Sequence, residues 1–333
     1  MTEHFIESSF CEQDKQFETP LRPKTMKDFI GQESVLELLQ VQIMAALARK
    51  EPLNHLLFCG PPGLGKTTLS HIIAESMGTN IVVTSGPVIE RAGDLAGILS
   101  KLKNWDILFI DEIHALNRTI EEYLYPAMED FVLDLVIEAG TNARSVKVNL
   151  ARFTLVAATT RLGLLSSPLR SRFQASFRLD YYSVETLQHI LKRSSKILGM
   201  QLDDASCFEV AKRSRGTPRI ANNLLRWVRD FAQIKAGNIV TPTVVQTALK
   251  MIGVDERGLD EMDLKILKVL IQHYKGGPVG LQTLALAVGE EPHTIEEVHE
   301  PFLITQGFIK RTPRGREATS LAFTYFSEGE QKS

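Results

Sequence analysis

The run Gly60-Pro61-Pro62-Gly63-Leu64-Gly65-Lys66-Thr67 has the residue types and spacing of a phosphate-binding loop. Its glycines let backbone N–H groups turn inward around phosphate oxygens, and a helix opening at Lys66 aims the positive end of its dipole at the same anion. Lys66 is then the side chain that reaches the β and γ phosphates, and Thr67 the hydroxyl that holds Mg²⁺. Gly63 and Thr68 count with them as nucleotide-binding positions. The bland alternative is a glycine turn that happens to precede a lysine. An apolar run before the loop (His55 to Cys59) and helical spacing after it (Leu69, Ile72, Ile73, Met77) favour a loop that binds ATP or GTP.

A second group lies at Asp106-Ile107-Leu108-Phe109-Ile110-Asp111-Glu112, an apolar strand ending in two acids. Beside a phosphate loop, Asp111 is placed to orient the water shell of Mg²⁺ and Glu112 to act as general base on the attacking water. Alone, a strand ending in acids is a weak signal; paired with the loop, it converts binding into hydrolysis. His114, two residues on, reads as a structural histidine and receives no role.

These side chains need a scaffold. Short apolar runs at Asn80 to Thr84, Ile107 to Ile110 and Phe153 to Ala158 alternate with helical segments, the pattern of a parallel sheet covered on both faces. The fold class expected is an α/β P-loop domain, a parallel sheet with helices on both faces, followed by a small all-helical domain and a winged-helix domain. Thr25 to Lys50 predicts a helix ahead of the first strand. Alternating apolar residues from Val132 to Leu150 about Gly140-Thr141-Asn142 predict an inserted β-hairpin with an exposed tip. From Ser183 to Gly253 only helical periodicity remains, with starts after Ser183, Asp203 and Thr217. Gly253 to Gly258 reads as a polar linker. The boundaries expected are 1–182, with 1–20 a mobile tail, then 183–253, then 256–333.

The last module reads as three helices and two short strands about Pro313-Arg314-Gly315. Lys310-Arg311-Thr312-Pro313-Arg314-Gly315-Arg316 concentrates positive charge there. A basic turn is most often a solvated loop; as the wing of a winged helix it points to phosphate contact, chiefly through Arg311 and Arg316. The preceding helix carries Glu296, Glu297 and Glu300, which would repel phosphates, so sequence-independent backbone binding is expected.

At 333 residues with 44% hydrophobic and 23% charged side chains, the chain is long enough for two or three globular domains. The net charge of −2 provides no global field toward nucleic acid or membrane. Cys11, Cys59 and Cys207 have no paired spacing, which fits a reducing compartment. The acidic first 20 residues lack the features of a signal peptide. No apolar stretch approaches the roughly 20 residues needed to span a bilayer. A cytoplasmic protein without membrane contact is expected.

The phosphate loop, Asp111-Glu112, Ala158-Thr159-Thr160-Arg161, Ser167-Pro168-Leu169-Arg170-Ser171-Arg172-Phe173 and Gly216-Thr217-Pro218-Arg219 together resemble the RuvB family of AAA+ Holliday junction branch-migration ATPases. The resemblance covers nearly the whole chain after the tail. It implies a homo-hexameric ring around duplex DNA, ATP and Mg²⁺ as cofactors, RuvA as partner and the RuvC resolvase as a further one. It also gives Thr160 the sensor-1 place, Arg172 the arginine finger and Arg219 the sensor-2 place. Arg170 is the rival for the finger. A finger in trans is worth about 10³ to 10⁵ in rate. Leu21, Arg22, Glu129, Asp130, Phe131 and Tyr182 match further nucleotide contacts, and the 132–150 hairpin matches the RuvA-docking insertion, although it could equally pack within its own domain. One departure stands beside the finger: the family usually has glycine after Arg-Phe, whereas Gln174-Ala175-Ser176 follow Phe173 here.

Two function classes fit this inventory. One is an ATP-driven translocase of branched DNA. The other is a nucleotide-switched initiator of the origin-recognition kind, which also joins AAA+ domains to a winged helix but needs base-specific contacts and little turnover. Glu112 and the acidic third helix of the last module favour the motor.

Overall fold

In the computed structural model, residues 14–136 and 145–330 are described. By internal packing the chain divides into two compact units, the first ending at Tyr182 and the second beginning at Ser183.

The first unit starts with α1 (Asp14–Leu21) and α2 (Glu33–Arg49), and continues through β1 (Leu56–Cys59), α3 (Lys66–Met77), β2 (Ile81–Ser85), α4 (Ala92–Leu99), β3 (Ile107–Asp111) and α5 (Arg118–Glu129). An antiparallel hairpin, β4 (Val132–Val136) and β5 (Ser145–Asn149), precedes β6 (Thr154–Thr159), α6 (Ser167–Ser171) and β7 (Ala175–Arg178). The expected exposed tip of the hairpin lies outside the described residues. The sheet is parallel, in the order β2-β3-β6-β1-β7. Its central strands are buried along almost their whole length, which is why Leu56–Cys59, Ile107–Ile110 and Leu155–Ala158 read as unbroken apolar runs rather than alternating ones.

His55 fastens the sheet at the start of β1. Its Nδ1 accepts the Leu155 N–H (2.8 Å) and its Nε2 donates to the Met128 carbonyl (3.0 Å), a pairing that fixes the neutral tautomer. Burial pushes its pKa below the usual histidine range.

Of the expected mobile tail, residues 14–20 belong to α1, and residues 1–13 lie outside the described residues. Glu18 and Leu21 are buried, and Arg22 pairs with Glu18 at 3.2 Å. A polar sequence can still be ordered where an i,i+4 ion pair and one apolar anchor hold a single helical turn.

The second unit opens with α7 (Val184–Ile197), α8 (Asp204–Lys212), α9 (Pro218–Lys235) and α10 (Pro242–Met251). The Ser183 and Asp203 side chains accept the Thr186 and Ser206 N–H groups and so cap α7 and α8 where the sequence predicts their starts. Then follow α11 (Glu261–Lys268), α12 (Leu281–Val288), α13 (Pro292–Thr294), a wide turn at Ile295–His299, α14 (Glu300–Thr305), the wing strands β8 (Ile309–Thr312) and β9 (Gly315–Ala318), and α15 (Ser320–Glu330).

Residues 253–258 are not a free linker. Arg213 Nε donates to the Asp255 carbonyl (3.0 Å), Arg215 Nε to the Gly258 carbonyl (2.9 Å), and the Tyr325 hydroxyl to Asp255 Oδ2 (2.5 Å). Val254 and Leu259 are buried on either side. Asp255 and the Gly258 carbonyl spend their polarity on these hydrogen bonds, while Glu256 and Arg257 remain exposed.

Candidate active site

The phosphate loop joins the buried end of β1 to α3, whose N-cap is Gly65. Gly60 takes φ +140, and a Cβ there would lie 2.3 Å from the Leu179 carbonyl oxygen, so no larger residue fits this corner. Lys66 is buried, with Nζ donating to the Gly60 and Pro61 carbonyls, both at 2.7 Å. Its ammonium therefore sits inside the curl of the loop. Thr67 follows on the first turn of α3 and donates its hydroxyl to Asp111 Oδ2 at 3.3 Å. Two hard oxygen donors, one from the loop helix and one from the end of β3, thus converge beside the lysine, a donor set suited to Mg²⁺. Thr68 and Gly63 are half-buried in the same segment.

Strand order explains why the acids and Thr160 come together. β6 lies between β1 and β3, so its end, Thr159-Thr160, stands between the loop and Asp111-Glu112. Glu112 is exposed and adopts a left-handed backbone (φ 48, ψ 44), an unusual state for a residue with a side chain. Its N–H is held by Asp111 Oδ1 at 3.0 Å.

Two further predicted residues flank the loop. The Tyr182 hydroxyl donates to the Leu64 carbonyl at 3.1 Å, and burial raises the phenol's pKa well above its usual value. Leu21 is buried at the end of α1, and the charge of the adjacent Arg22 reaches His71 on α3; together with burial it lowers that histidine's pKa, burial being the larger cause.

Glu129, Asp130, Phe131 and Arg172 do not join this group. Phe131 packs edge-on against Phe153 with ring centroids 5.9 Å apart, and the Gln174 N–H donates to the His55 carbonyl at 3.1 Å. This is the beginning of β1, whereas the phosphate loop follows its end. With roughly 3.3 Å of rise per strand residue, the run from His55 to Gly60 puts on the order of 15 Å between the two sites. Within a single chain the sheet separates Glu129, Asp130 and Phe131 from the phosphate loop, and it separates Arg172 as well, the residue that the resemblance assigns to a neighbouring subunit's nucleotide.

At that opposite end Arg172 is closely held. Its Nη2 pairs with Glu129 Oε2 (3.1 Å), its Nη1 donates to the Pro168 carbonyl (2.8 Å), and its guanidinium lies 4.3 Å from the Tyr125 ring centroid. Arg170 is exposed. Sequence reasoning missed Tyr125, although its i,i+4 spacing to Glu129 on α5 puts both on one helical face. Arg219 lies in the second unit, half-buried in the first turn of α9.

In the wing, Arg311 and Arg316 face each other across β8 and β9 but differ in environment. Arg311 is exposed and bonded to Glu296 Oε1 at 3.0 Å. Arg316 is buried, with Nε and Nη2 both on Glu300 Oε2 (3.0 and 2.7 Å). The expectation that Arg316 contacts DNA is therefore corrected: its charge is already neutralised by a buried carboxylate. Arg314 is exposed at the turn. Of the acids read as repelling phosphate, Glu296 and Glu300 are counter-ions for Arg311 and Arg316, whereas Glu297 faces His293 at 3.3 Å.

A phosphate loop after the first strand of a parallel sheet, an acid pair two strands away and a polar strand end between them define a P-loop ATPase of the AAA+ class. Comparison with known proteins narrows this. Residues 21–179 match the family described as "Holliday junction DNA helicase RuvB P-loop domain", 182–255 the "RuvB AAA lid domain" and 256–327 the "RuvB C-terminal winged helix domain". The chain is 59% identical to the Holliday junction branch migration complex subunit RuvB of Protochlamydia amoebophila over the full length of both. It is 54% identical to that of Parabacteroides distasonis, over 96% of this chain and 95% of the relative. The solved Thermotoga maritima RuvB Holliday junction branch migration motor superposes with a TM-score of 0.84 at 48% identity, covering 92% of this chain and 98% of that one. The chain belongs to the RuvB family.

Proposed function

We propose that this chain is the ATP-hydrolysing motor that drives branch migration of Holliday junctions, acting as a hexameric ring on duplex DNA together with RuvA and upstream of the RuvC resolvase. Within one chain Lys66 neutralises the transferred γ-phosphate, Thr67 and Asp111 would hold Mg²⁺, Glu112 orients and deprotonates the attacking water, and Thr160 contacts the γ-phosphate or that water. The magnesium ion supplies charge neutralisation of the phosphate oxygens.

The observation that carries the reading is the division of the predicted nucleotide residues between opposite ends of the sheet. Arg172, braced by Glu129 and Tyr125 far from its own phosphate loop, has no use in its own chain's pocket. It suits the pocket of an adjacent subunit, which supports a ring in which hydrolysis depends on assembly. Arg219 then reports phosphate loss from the helical domain, and Arg311 with Arg314 holds the DNA backbone.

Glu112→Gln tests this directly. The variant is expected to bind ATP and form rings while losing turnover; undiminished phosphate release would remove Glu112 from the mechanism. A four-way junction assay with ATP and RuvA reads the branch-migration step, which the parent protein should complete and the variant should not.

A further inference from the structure

We propose that His114 is a positioning residue for hydrolysis, tying the turn that carries Glu112 to the strand end that carries Thr160. The inference rests on the roles given above to those two residues and adds a link between them.

Glu112 occupies a left-handed backbone state that persists only where its surroundings impose it. Two constraints act on its turn, the short 3₁₀ segment Ile113–Ala115. From the β2 side, Gly86 lies against it: a Cβ at residue 86 would come within 2.4 Å of the Glu112 carbonyl oxygen and 3.3 Å of Ala115 Cβ. That carbonyl also accepts the Ala115 N–H at 2.8 Å, so the peptide after Glu112 has little room to rotate. From the β6 side, His114 Nδ1 meets Thr159 Oγ1 at 3.0 Å.

Thr159 is fully buried, and its Oγ1 also accepts the Arg161 N–H at 3.0 Å. The hydroxyl therefore clasps the backbone on both sides of Thr160 while holding the histidine. With one lone pair taken by Arg161, the hydroxyl still has a proton and a second lone pair for Nδ1, so the contact holds in either tautomer of the ring. A displacement of Thr160 is passed through Thr159 and His114 to the backbone of Glu112, two residues away. His114 touches neither water nor phosphate in this scheme. It sets where Glu112 stands when Thr160 is in place.

The test compares His114→Ala, His114→Asn, Thr159→Val and the double variant His114→Ala/Thr159→Val in the full-length protein. Phosphate release gives kcat, and a fluorescent ATP analogue gives Kd. His114→Ala and Thr159→Val should each lower kcat on the order of 10- to 100-fold, since a small misplacement of a reacting group has that effect. Nucleotide affinity should stay within about two-fold in both. Asn places a polar atom where Nδ1 stood and should recover most of the turnover. The double variant should be no slower than the slower single one, as expected of two partners in one contact. Turnover within about two-fold of the parent for His114→Ala, losses that multiply in the double variant, or a loss that follows nucleotide affinity would each overturn the proposal. If His114→Ala does not fold by circular dichroism, Thr159→Ser against Thr159→Val carries the same decision, because only serine keeps the hydroxyl. Glu112→Gln runs alongside: an active Glu112→Gln defeats the functional reading itself, whereas an inactive one beside a fully active His114→Ala defeats this inference alone.

Discussion

Arg311 and Arg316 have the same side chain and face one another in the wing, yet only one is available to a phosphate. The difference is solvent: Arg311 retains 58% exposure, whereas Arg316 and its partner Glu300 retain 9% and 3%. Taking one member from a buried pair leaves an uncompensated charge, so Arg316→Ala should destabilise the second unit by about 3–5 kcal/mol. Denaturant titration measures this. Arg311→Ala should leave that stability nearly unchanged while reducing the salt dependence of duplex binding by about one phosphate contact. The reverse pattern would restore Arg316 as the DNA contact. Residues that act through local spacing were legible in the sequence: Lys66, Thr67 and Asp111 follow from a loop motif and a strand end. Arg316 was not, because its role depends on Glu300 in another element, and charge composition alone cannot tell a counter-ion from a ligand.

At the level of elements, two histidines, one half-buried and one buried, give the units opposite responses to pH. His55 joins β1, β6 and the end of α5 in its neutral form, with a pKa lowered by burial. The unfolded chain binds a proton more readily than the folded one, so its contribution is complete above the ordinary histidine pKa and is lost as pH falls below it. His299 is the reverse case. Burial opposes its charge, but its Nδ1 lies 2.7 Å from Asp263 Oδ1, with Asp260 at 3.9 Å, and these carboxylates raise its pKa despite nearby Arg215. Its contribution is complete below the ordinary histidine pKa and disappears as pH rises through the elevated folded value. Thermal unfolding from pH 5.5 to 8.5 should therefore show the first unit weakening toward acid and the second toward alkali. His299→Gln should flatten the alkaline side only; an unchanged slope would exclude His299 as its source. The sheet and helix starts were legible because apolar runs, glycine turns and Ser or Asp caps are local signals. Helix α1 and the pinned 253–258 segment were not, since each is ordered by partners that polarity in sequence does not reveal.

For the whole molecule, the separation of Arg172 from its own phosphate loop predicts complementation between defective subunits. Arg172→Ala chains keep an intact loop, and chains disabled by Lys66→Ala keep the arginine. Mixed in solution, the two should recover part of the ATPase activity that each lacks alone, with a maximum at intermediate ratios. Absence of recovery at every ratio would show that the arginine works within its own chain. The ring itself is an expectation from resemblance alone, because no residue pattern states how copies of a chain meet.

The arginines at 213 and 215 stand just ahead of α9, and their bonds run to carbonyls at 255 and 258 and to the carboxylates of Asp260 and Asp263. These bonds tie the residues just ahead of α9 to the start of α11. A small twist at the start of α9 would arrive at the wing as a displacement of comparable size instead of being absorbed along the way, as in a lever whose fulcrum and handle are cut from one piece.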